Sequence, residues 1–138
     1  MIVVDASLFV AWLLSERDND ASDAFWRTLA TQPAVVPAHW PNEVANALRR
    51  AVRTKRLPAA DVEPTARELF VFNIQLAAPP IAADIAGLAI DALSVDLSVY
   101  DLQYIRLART LGIPLATGDA AMRRAAERMN VALFPDQI

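Results

Sequence analysis

Four acidic residues occupy equivalent positions along the chain, each where an apolar segment ends or a helix is expected to begin. Asp5 and Asp119 each follow a short apolar segment, whereas Glu43 and Asp101 fall in the first turns of predicted helices. In a parallel sheet with right-handed crossovers, strand carboxyl ends and the helix starts that follow them gather at one edge. The sequence therefore predicts that the four carboxylates lie close together.

Carboxylates that are packed together raise one another's pKa unless a cation lies between them. Oxygen ligands without nearby His or Cys suit Mg²⁺ or Mn²⁺, and such clusters are typical of metal-dependent phosphodiester cleavage. Each acid also has an ordinary local explanation, because acids are favoured at helix N-termini. That explanation is weakest for Asp101, which has mostly apolar neighbours, and for Asp119. Gly118, which precedes Asp119, permits a close backbone approach or an unusual turn.

The composition is that of one globular domain, which we expect to span residues 1–138. Hydrophobic residues make up 55% of the chain, which is too apolar for a disordered protein, yet no apolar run is long enough to cross a membrane. The apolar N-terminus carries Asp5 and is expected to form a strand and helix, not a signal peptide. The absence of cysteine excludes a disulfide framework and fits a cytoplasmic protein. The net charge of −3 argues against a general nucleic-acid binder.

Apolar segments of strand length alternate with helical patterns, which predicts an α/β sandwich around a mostly parallel sheet. Strands are expected at residues 2–4, 34–37, 73–77, 113–117 and 131–134. Helices are expected at residues 8–14, 21–30, 40–53, 60–72, 81–93, 99–111 and 119–129, with Asp61 and Ser98 as N-caps and Gly112 as a terminator.

The segments around the four acids resemble the motifs of the PIN domain family, in particular its small bacterial VapC-type toxins. These segments are VVDAS at residues 3–7, PNEVANAL at 41–48, SVYD at 98–101 and PLATGD at 114–119. The resemblance implies a three-layer α/β/α fold and a Mg²⁺- or Mn²⁺-dependent endoribonuclease that leaves 5′-phosphate and 3′-hydroxyl ends. It also implies a cognate antitoxin and a homodimer.

The resemblance also implies roles for individual residues. Asp5, Glu43, Asp101 and Asp119 match the acidic quartet that holds the metal. Ser7 and Thr117 match the hydroxyl residues beside it, and would orient water or carboxylates or simply cap helices. Asp96 is interpreted as a solvated loop residue.

The densest basic stretch of the chain lies in and just after the helix that begins near Glu43. At least one of Arg49, Arg50 and Arg53 is expected to contact the RNA backbone, and the alternative is a solvated helix end that complements the dipole. The lone histidine, His39, is expected to be structural or to cap this helix. Asn46 could face the site.

Two expected contacts concern protein partners. Helices 81–93 and 99–111 are apolar over more than one face, which favours a homodimer. The antitoxin is expected to lay an apolar segment along helix 8–14, with Trp12 as an anchor, and to insert a basic residue among the acids.

Two other classes of protein compete with a nuclease. One is a catalytically inactive PIN-like module that binds RNA or protein. The other is a phosphotransfer or hydrolase domain with Asp5 as nucleophile, but it would need a second carboxylate at position 7, where Ser7 stands.

Overall fold

The computed structural model describes residues 1–14 and 20–135, and within this part of the chain four parallel strands form one sheet. The strand order is β3-β2-β1-β4. The strands are β1 (Ile2–Val4), β2 (Ala34–Val36), β3 (Ile74–Leu76) and β4 (Leu115–Ala116). In the central strand, Val3 pairs with Val35 on one side and Leu115 on the other. Strands β1, β2 and β4 are buried throughout, which explains why they are continuous apolar runs without alternation.

The same residues contain seven α-helices and three short 3₁₀ turns. The helices are α1 (Ala6–Leu13), α2 (Asp20–Leu29), α3 (Trp40–Arg53), α4 (Val62–Arg67), α5 (Ile85–Val95), α6 (Val99–Leu111) and α7 (Ala120–Arg128). The 3₁₀ turns are Ala59–Asp61, Glu68–Val71 and Ala82–Asp84. Helix α1 packs against α3, whereas α6 packs against β1, α5 and α7. The predicted three-layer α/β/α fold is confirmed.

An aromatic cluster fills the core beneath α1. The buried ring of Phe9 makes edge-on contacts with Trp26, Trp40 and Phe72, with centroids 5.3 to 5.6 Å apart. Trp12 is only half-buried and joins the cluster through Phe72, at 5.0 Å. Rings in these orientations contribute about 0.5–1.5 kcal/mol per pair beyond their buried area. The cluster ties α1, α2 and α3 to the 3₁₀ turn that precedes β3.

Helix boundaries agree with the sequence where capping residues mark them. Helix α3 spans the predicted residues, and the Ser98 hydroxyl accepts a hydrogen bond from the Asp101 amide at the start of α6. Gly112 ends α6 in the left-handed conformation, with φ of 64°, which glycine adopts without strain. Asp96 is exposed and ends α5, as expected for a solvated residue.

Four segments differ from the prediction. The helix expected at 60–72 is broken into a 3₁₀ turn, the short α4 and a second 3₁₀ turn, and the Asp61 side chain makes no capping bond. The helix expected at 81–93 starts as a 3₁₀ turn, where the Asp84 carboxylate accepts from the Ile81 amide at 2.8 Å. Strand β4 is shorter than expected, because Pro114 has no amide hydrogen to donate to the sheet. With so short a partner, the strand expected at 131–134 reduces to one parallel bridge between Leu133 and Leu115.

In the described part of the chain, no helix combines the length and the apolar character that crossing a membrane requires.

Candidate active site

A cleft of about 450 Å³ opens at the carboxyl ends of β1 and β4, beside the first turns of α3 and α6. The four predicted acids line it: Asp5, Glu43, Asp101 and Asp119. The cleft is also lined by the polar residues Ser7, Asn46 and Arg50. The structure thus brings together the acids that the parallel topology was expected to gather.

Asp5 is held in place by hydrogen bonds from two hydroxyl groups. It is 5% exposed, and its Oδ2 accepts from Ser7 Oγ at 2.6 Å and from Thr117 Oγ1 at 2.9 Å. Its Oδ1 accepts from the Ser7 amide at 3.3 Å, so Asp5 is also the N-cap of α1. The capping interpretation is therefore confirmed, and the same residue also lines the cleft.

Thr117 links two of the acids. Its side chain is fully buried, and Oγ1 donates to Asp5 while accepting from the Asp119 amide at 3.1 Å. Asp119 in turn caps α7, where its Oδ1 accepts from the Met122 amide at 2.8 Å. Because one hydroxyl bridges them, Asp5 and Asp119 keep a fixed relation across β1 and β4.

Glu43 contacts two aromatic residues, one of which donates a hydrogen bond to it. The Tyr104 hydroxyl donates to Glu43 Oε2 at 3.3 Å, and His39 Nε2 lies 2.6 Å from Glu43 Oε1. The latter contact lacks the alignment of a hydrogen bond, so both of its atoms are buried without a hydrogen-bond partner among the described residues. Burial lowers the pKa of His39, which is therefore neutral at pH 7 and forms no ion pair with the carboxylate.

Two acids of the cleft, Glu43 and Asp101, resist ionisation. Burial, and next the Asp5 carboxylate, raise the pKa of Glu43 to about 7, with Asp101 adding to the effect and the Tyr104 hydrogen bond opposing it. Burial, and then the charge of Asp5, also raise the pKa of Asp101, against a hydrogen bond with Ser98 and with a further contribution from Asp119. Burial also raises the pKa of Tyr104, so its hydroxyl stays a donor. A cation in the cleft would favour the ionised forms of both Glu43 and Asp101.

The donor set fits a hard divalent cation, because it offers four carboxylates and the chain has no cysteine thiolate. As the side chains stand, however, no three His, Asp or Glu residues within 1–14 and 20–135 converge on a single point. The Asp5 oxygen that accepts from Ser7 and Thr117 is already committed to those two hydroxyls. The four acids could hold a metal ion after small side-chain rotations or through bridging water.

The other predicted site residues divide between the cleft and the surface around it. Arg50 and Asn46 line the cleft, whereas Arg49 and Arg53 are exposed on α3 outside it. His39 occupies the N-cap position of α3, but its side chain does not cap the helix, because it points to Glu43 instead.

Gly118 does not need a glycine's conformational freedom. Its φ is not positive, and a Cβ built there would meet only Leu8 Cδ2, at an ordinary contact distance of 3.9 Å. The expected close approach or unusual turn is therefore wrong.

Trp12 lies away from the acids. Helix α1 presents Val10 and Ala11 to the cleft, while Trp12 lines a separate cavity of about 470 Å³ that also includes Trp26 and Phe72. An anchor at Trp12 would therefore not lie on the cleft itself.

The sequence prediction missed the roles of His39 and Tyr104. A partial signal existed for His39, because residues four apart on a helix are neighbours and His39 precedes Glu43 by four. The Tyr104 contact joins residues 61 positions apart and depends on how α6 packs beside α3. No local pattern encodes that packing.

Comparison with known proteins places the chain in a family. The model of the PIN domain matches residues 2–128. Ribonuclease VapC3 of Mycobacterium tuberculosis is 33% identical over 126 residues, which are 90% of this chain and 86% of the relative. The VapC ribonuclease Mb0985 of Mycobacterium bovis is 35% identical over 124 residues, with 86% of each chain covered.

Two crystal structures share the fold. PAE2754 from Pyrobaculum aerophilum has a TM-score of 0.65 at 22% identity, over 90% of this chain and 78% of that one. FitAcB from Neisseria gonorrhoeae has a TM-score of 0.66 at 21% identity, over 97% and 96%. The match to the family model spans nearly the whole sequence, and it shows that the chain belongs to the PIN domain family.

Proposed function

We propose that this protein is a cytoplasmic, Mg²⁺- or Mn²⁺-dependent endoribonuclease that cleaves RNA phosphodiester bonds by hydrolysis. The observation that carries the proposal is the single cleft that four carboxylates line, two of them with raised pKa values. Perturbed carboxylates in a cleft mark functional-site candidates. The similarity to proteins named as VapC ribonucleases supports the choice of RNA as substrate.

Asp5, Asp101 and Asp119 would hold the metal, and Glu43 would complete its coordination or hold a second ion. When bound, the divalent cation supplies Lewis acidity and positive charge beside the scissile phosphate. The hydroxyls of Ser7 and Thr117 keep Asp5 oriented, and fixed ligands reduce the reorganisation needed during the reaction.

Around these acids, the chain's own residues bind and orient the substrate. Arg50 lies in the cleft, where its guanidinium can pair with a phosphate oxygen of the RNA. Arg49 and Arg53 continue the basic surface along α3 and would contact phosphates farther along the strand.

The test is cleavage of RNA by purified protein with Mg²⁺ or Mn²⁺ and with chelator. Asp101→Asn should lower the rate by roughly a thousand-fold, on the scale of losing an electrostatic group at a reaction centre. Asp96→Asn is the matched control, because Asp96 is exposed and lies only five residues upstream. Chelator-resistant cleavage, or wild-type activity in Asp101→Asn, would contradict the proposal. A folded wild type that binds RNA but never cuts it would support the inactive binding module instead.

We also propose that the enzyme is the toxin of a toxin–antitoxin pair, and that the antitoxin covers the cavity beside α1. This cavity is lined by Trp12, Trp26, Phe72 and the exposed side chain of Val71. The antitoxin would place an apolar segment there and a basic residue among the acids of the cleft.

Val71→Ser tests this surface without disturbing the core, because Val71 is 70% exposed. The variant should bind the antitoxin roughly ten-fold more weakly, on the scale of losing one buried apolar contact, while cleaving RNA at the wild-type rate. Leu76→Ser, on the edge strand β3, is the matched exposed control. Equal affinity for Val71→Ser and wild type would rule out this docking surface.

A homodimer is proposed on the apolar face of α5. Ile85, Ile90 and Leu93 are all more than half exposed there, and α6 adds Leu111. Large apolar patches on soluble proteins mark interaction sites, and two-fold dimers are the commonest assembly. Sedimentation should give a dimer that Leu93→Lys converts to monomer, and a wild type that sediments only as a monomer would contradict this.

A further inference from the structure

One exposed aromatic side chain, which neighbours the cleft residue Asp101 in the sequence, has no role in the site described so far. Tyr100 lies in the first turn of α6, directly before Asp101. We infer that its ring is the surface on which an RNA base next to the scissile phosphate stacks. This inference rests on the proposed ribonuclease function and names a residue that would position the substrate for it.

The ring of Tyr100 is tied to the acids through His39. Its centroid lies 5.3 Å from the imidazole of His39, in an edge-on arrangement, and Tyr104 meets the same imidazole at 5.6 Å. His39 in turn contacts Glu43. Tyr100 is therefore positioned relative to the carboxylates by one intervening side chain, and a base on its ring would belong to a nucleotide near the cleft.

Tyr100 is unusually exposed for an aromatic residue, with 63% of its surface accessible. Among the described residues, the only other large aromatic side chain with comparable exposure is Phe70. Phe70 lies in the 3₁₀ turn between α4 and β3, and within the described part of the chain no ring contact like that of Tyr100 links it to His39. The π-face of a base can cover such a ring without any requirement for base identity.

The charge of the cleft gives a reason for a stacking contact. Phosphate contacts normally dominate affinity for nucleic acids, but the cleft presents four acids and, among the described residues that line it, a single cation, Arg50. The chain as a whole carries a net charge of −3. Binding of RNA before the metal neutralises the acids therefore needs a contribution that does not depend on charge. Stacking supplies it, and only unpaired bases can reach the ring.

The experiment measures binding of a fluorescein-labelled, mixed-sequence single-stranded RNA by anisotropy, with an Asp101→Asn parent so that the RNA stays intact. Adding Tyr100→Ala should raise the dissociation constant roughly ten-fold, the scale expected for one lost stacking contact. Tyr100→Phe and Tyr100→Trp should bind as the parent does. Leu76→Ala removes an exposed apolar side chain on the edge strand β3 and should have no effect. A duplex of the same RNA should bind all variants equally.

Further readouts distinguish stacking from other roles for Tyr100. If the folded chain binds Mg²⁺, the ion should raise the melting temperature of the wild type. In the Asp101-containing protein, Tyr100→Ala should leave that rise and the sedimentation coefficient unchanged. Unchanged RNA affinity in Tyr100→Ala, or loss of affinity in Tyr100→Phe as well, would overturn the inference. A lost Mg²⁺ response would instead assign the ring to positioning His39 and Glu43, and altered sedimentation would assign it to an interface between copies. If the parent does not bind RNA and the wild type does not cleave it, the proposed function itself fails.

Discussion

The acidic cleft has two halves that differ in how they hold a negative charge. One half surrounds Asp5, and the other contains Glu43 and Asp101. Around Asp5, the chain supplies the hydrogen bonds itself, through Ser7 and the fully buried Thr117. Around Glu43 and Asp101, burial and neighbouring charges disfavour ionisation, and one buried oxygen of Glu43 has no hydrogen-bond donor among the described residues. The half around Asp5 has its hydrogen bonds without a ligand, whereas the half with Glu43 and Asp101 would be stabilised by a cation.

The order of this site and its proposed affinity for a cation would come from different halves of the cleft. A fully hydrogen-bonded carboxylate fixes the geometry at the ends of β1 and β4, where the backbone is already held by the sheet. Carboxylates whose ionised forms are unfavourable without a cation are stabilised when one binds. That stabilisation would contribute to the affinity for the cation. Buried groups of this kind lower the stability of the empty protein, a cost that active sites commonly carry.

The largest effect on stability is expected in the half around Asp5. Thr117→Val keeps the shape of the side chain but leaves Asp5 without one donor and the Asp119 amide without its acceptor. We expect unfolding to become easier by about 2–3 kcal/mol, because buried polar groups would lose their partners. Urea denaturation measures the change, and Thr117→Ser should recover most of it. If Thr117→Val were as stable as wild type, the hydroxyl bridge would not be what orders this half.

A second prediction concerns the other half and depends on pH. Because the pKa of Glu43 in the folded protein is about 7, against 4.5 for a free glutamate, the folded state binds the proton more tightly than the unfolded state. The metal-free wild type should therefore lose stability as pH rises from 4.5 to 7. Glu43→Gln removes the share of that loss that Glu43 causes, while the share from Asp101 stays. The variant should be more stable than wild type above pH 7, by on the order of 1–2 kcal/mol after allowance for solvent screening.

Melting temperatures measured across this pH range in chelator will test the prediction. Glu127→Gln is the control, because Glu127 is exposed on α7 and should leave the pH dependence unchanged. The same downward slope in Glu43→Gln as in wild type would show that Glu43 is not the group responsible.

The smallest effect is expected at Tyr104. Its hydroxyl donates to Glu43 at 3.3 Å, a long hydrogen bond, so Tyr104→Phe should cost only about 0.5–1 kcal/mol. Loss of this donor should also raise the pKa of Glu43 further, because the hydrogen bond favours the ionised form. The pH dependence of melting should therefore extend to higher pH in Tyr104→Phe, and a shift to lower pH would contradict the assignment.

The sequence predicted the half around Asp5 better than the half with Glu43 and Asp101. Asp5 follows a short apolar strand, and Asp119 stands at a helix start, so local rules were sufficient to place them. The parallel topology then accounts for their meeting at one edge of the sheet. The contacts of Glu43 with Tyr104 and of Phe9 with Phe72 depend on how helices pack over the sheet, which no local pattern specifies. The broken helix around α4 was missed because apolar periodicity does not distinguish α from 3₁₀ turns.

The central claim is that the acids of one cleft hold a divalent cation, and Mn²⁺ binding followed by electron paramagnetic resonance tests it most directly. Titration of Mn²⁺ into wild type should deplete the signal of the free ion, and Mg²⁺ should compete for the same site. Asp101→Asn should bind Mn²⁺ at least ten-fold more weakly, a loss on the scale of one metal-site contact, whereas Glu127→Gln should bind as wild type does. Equal Mn²⁺ affinity in wild type and Asp101→Asn would contradict the account.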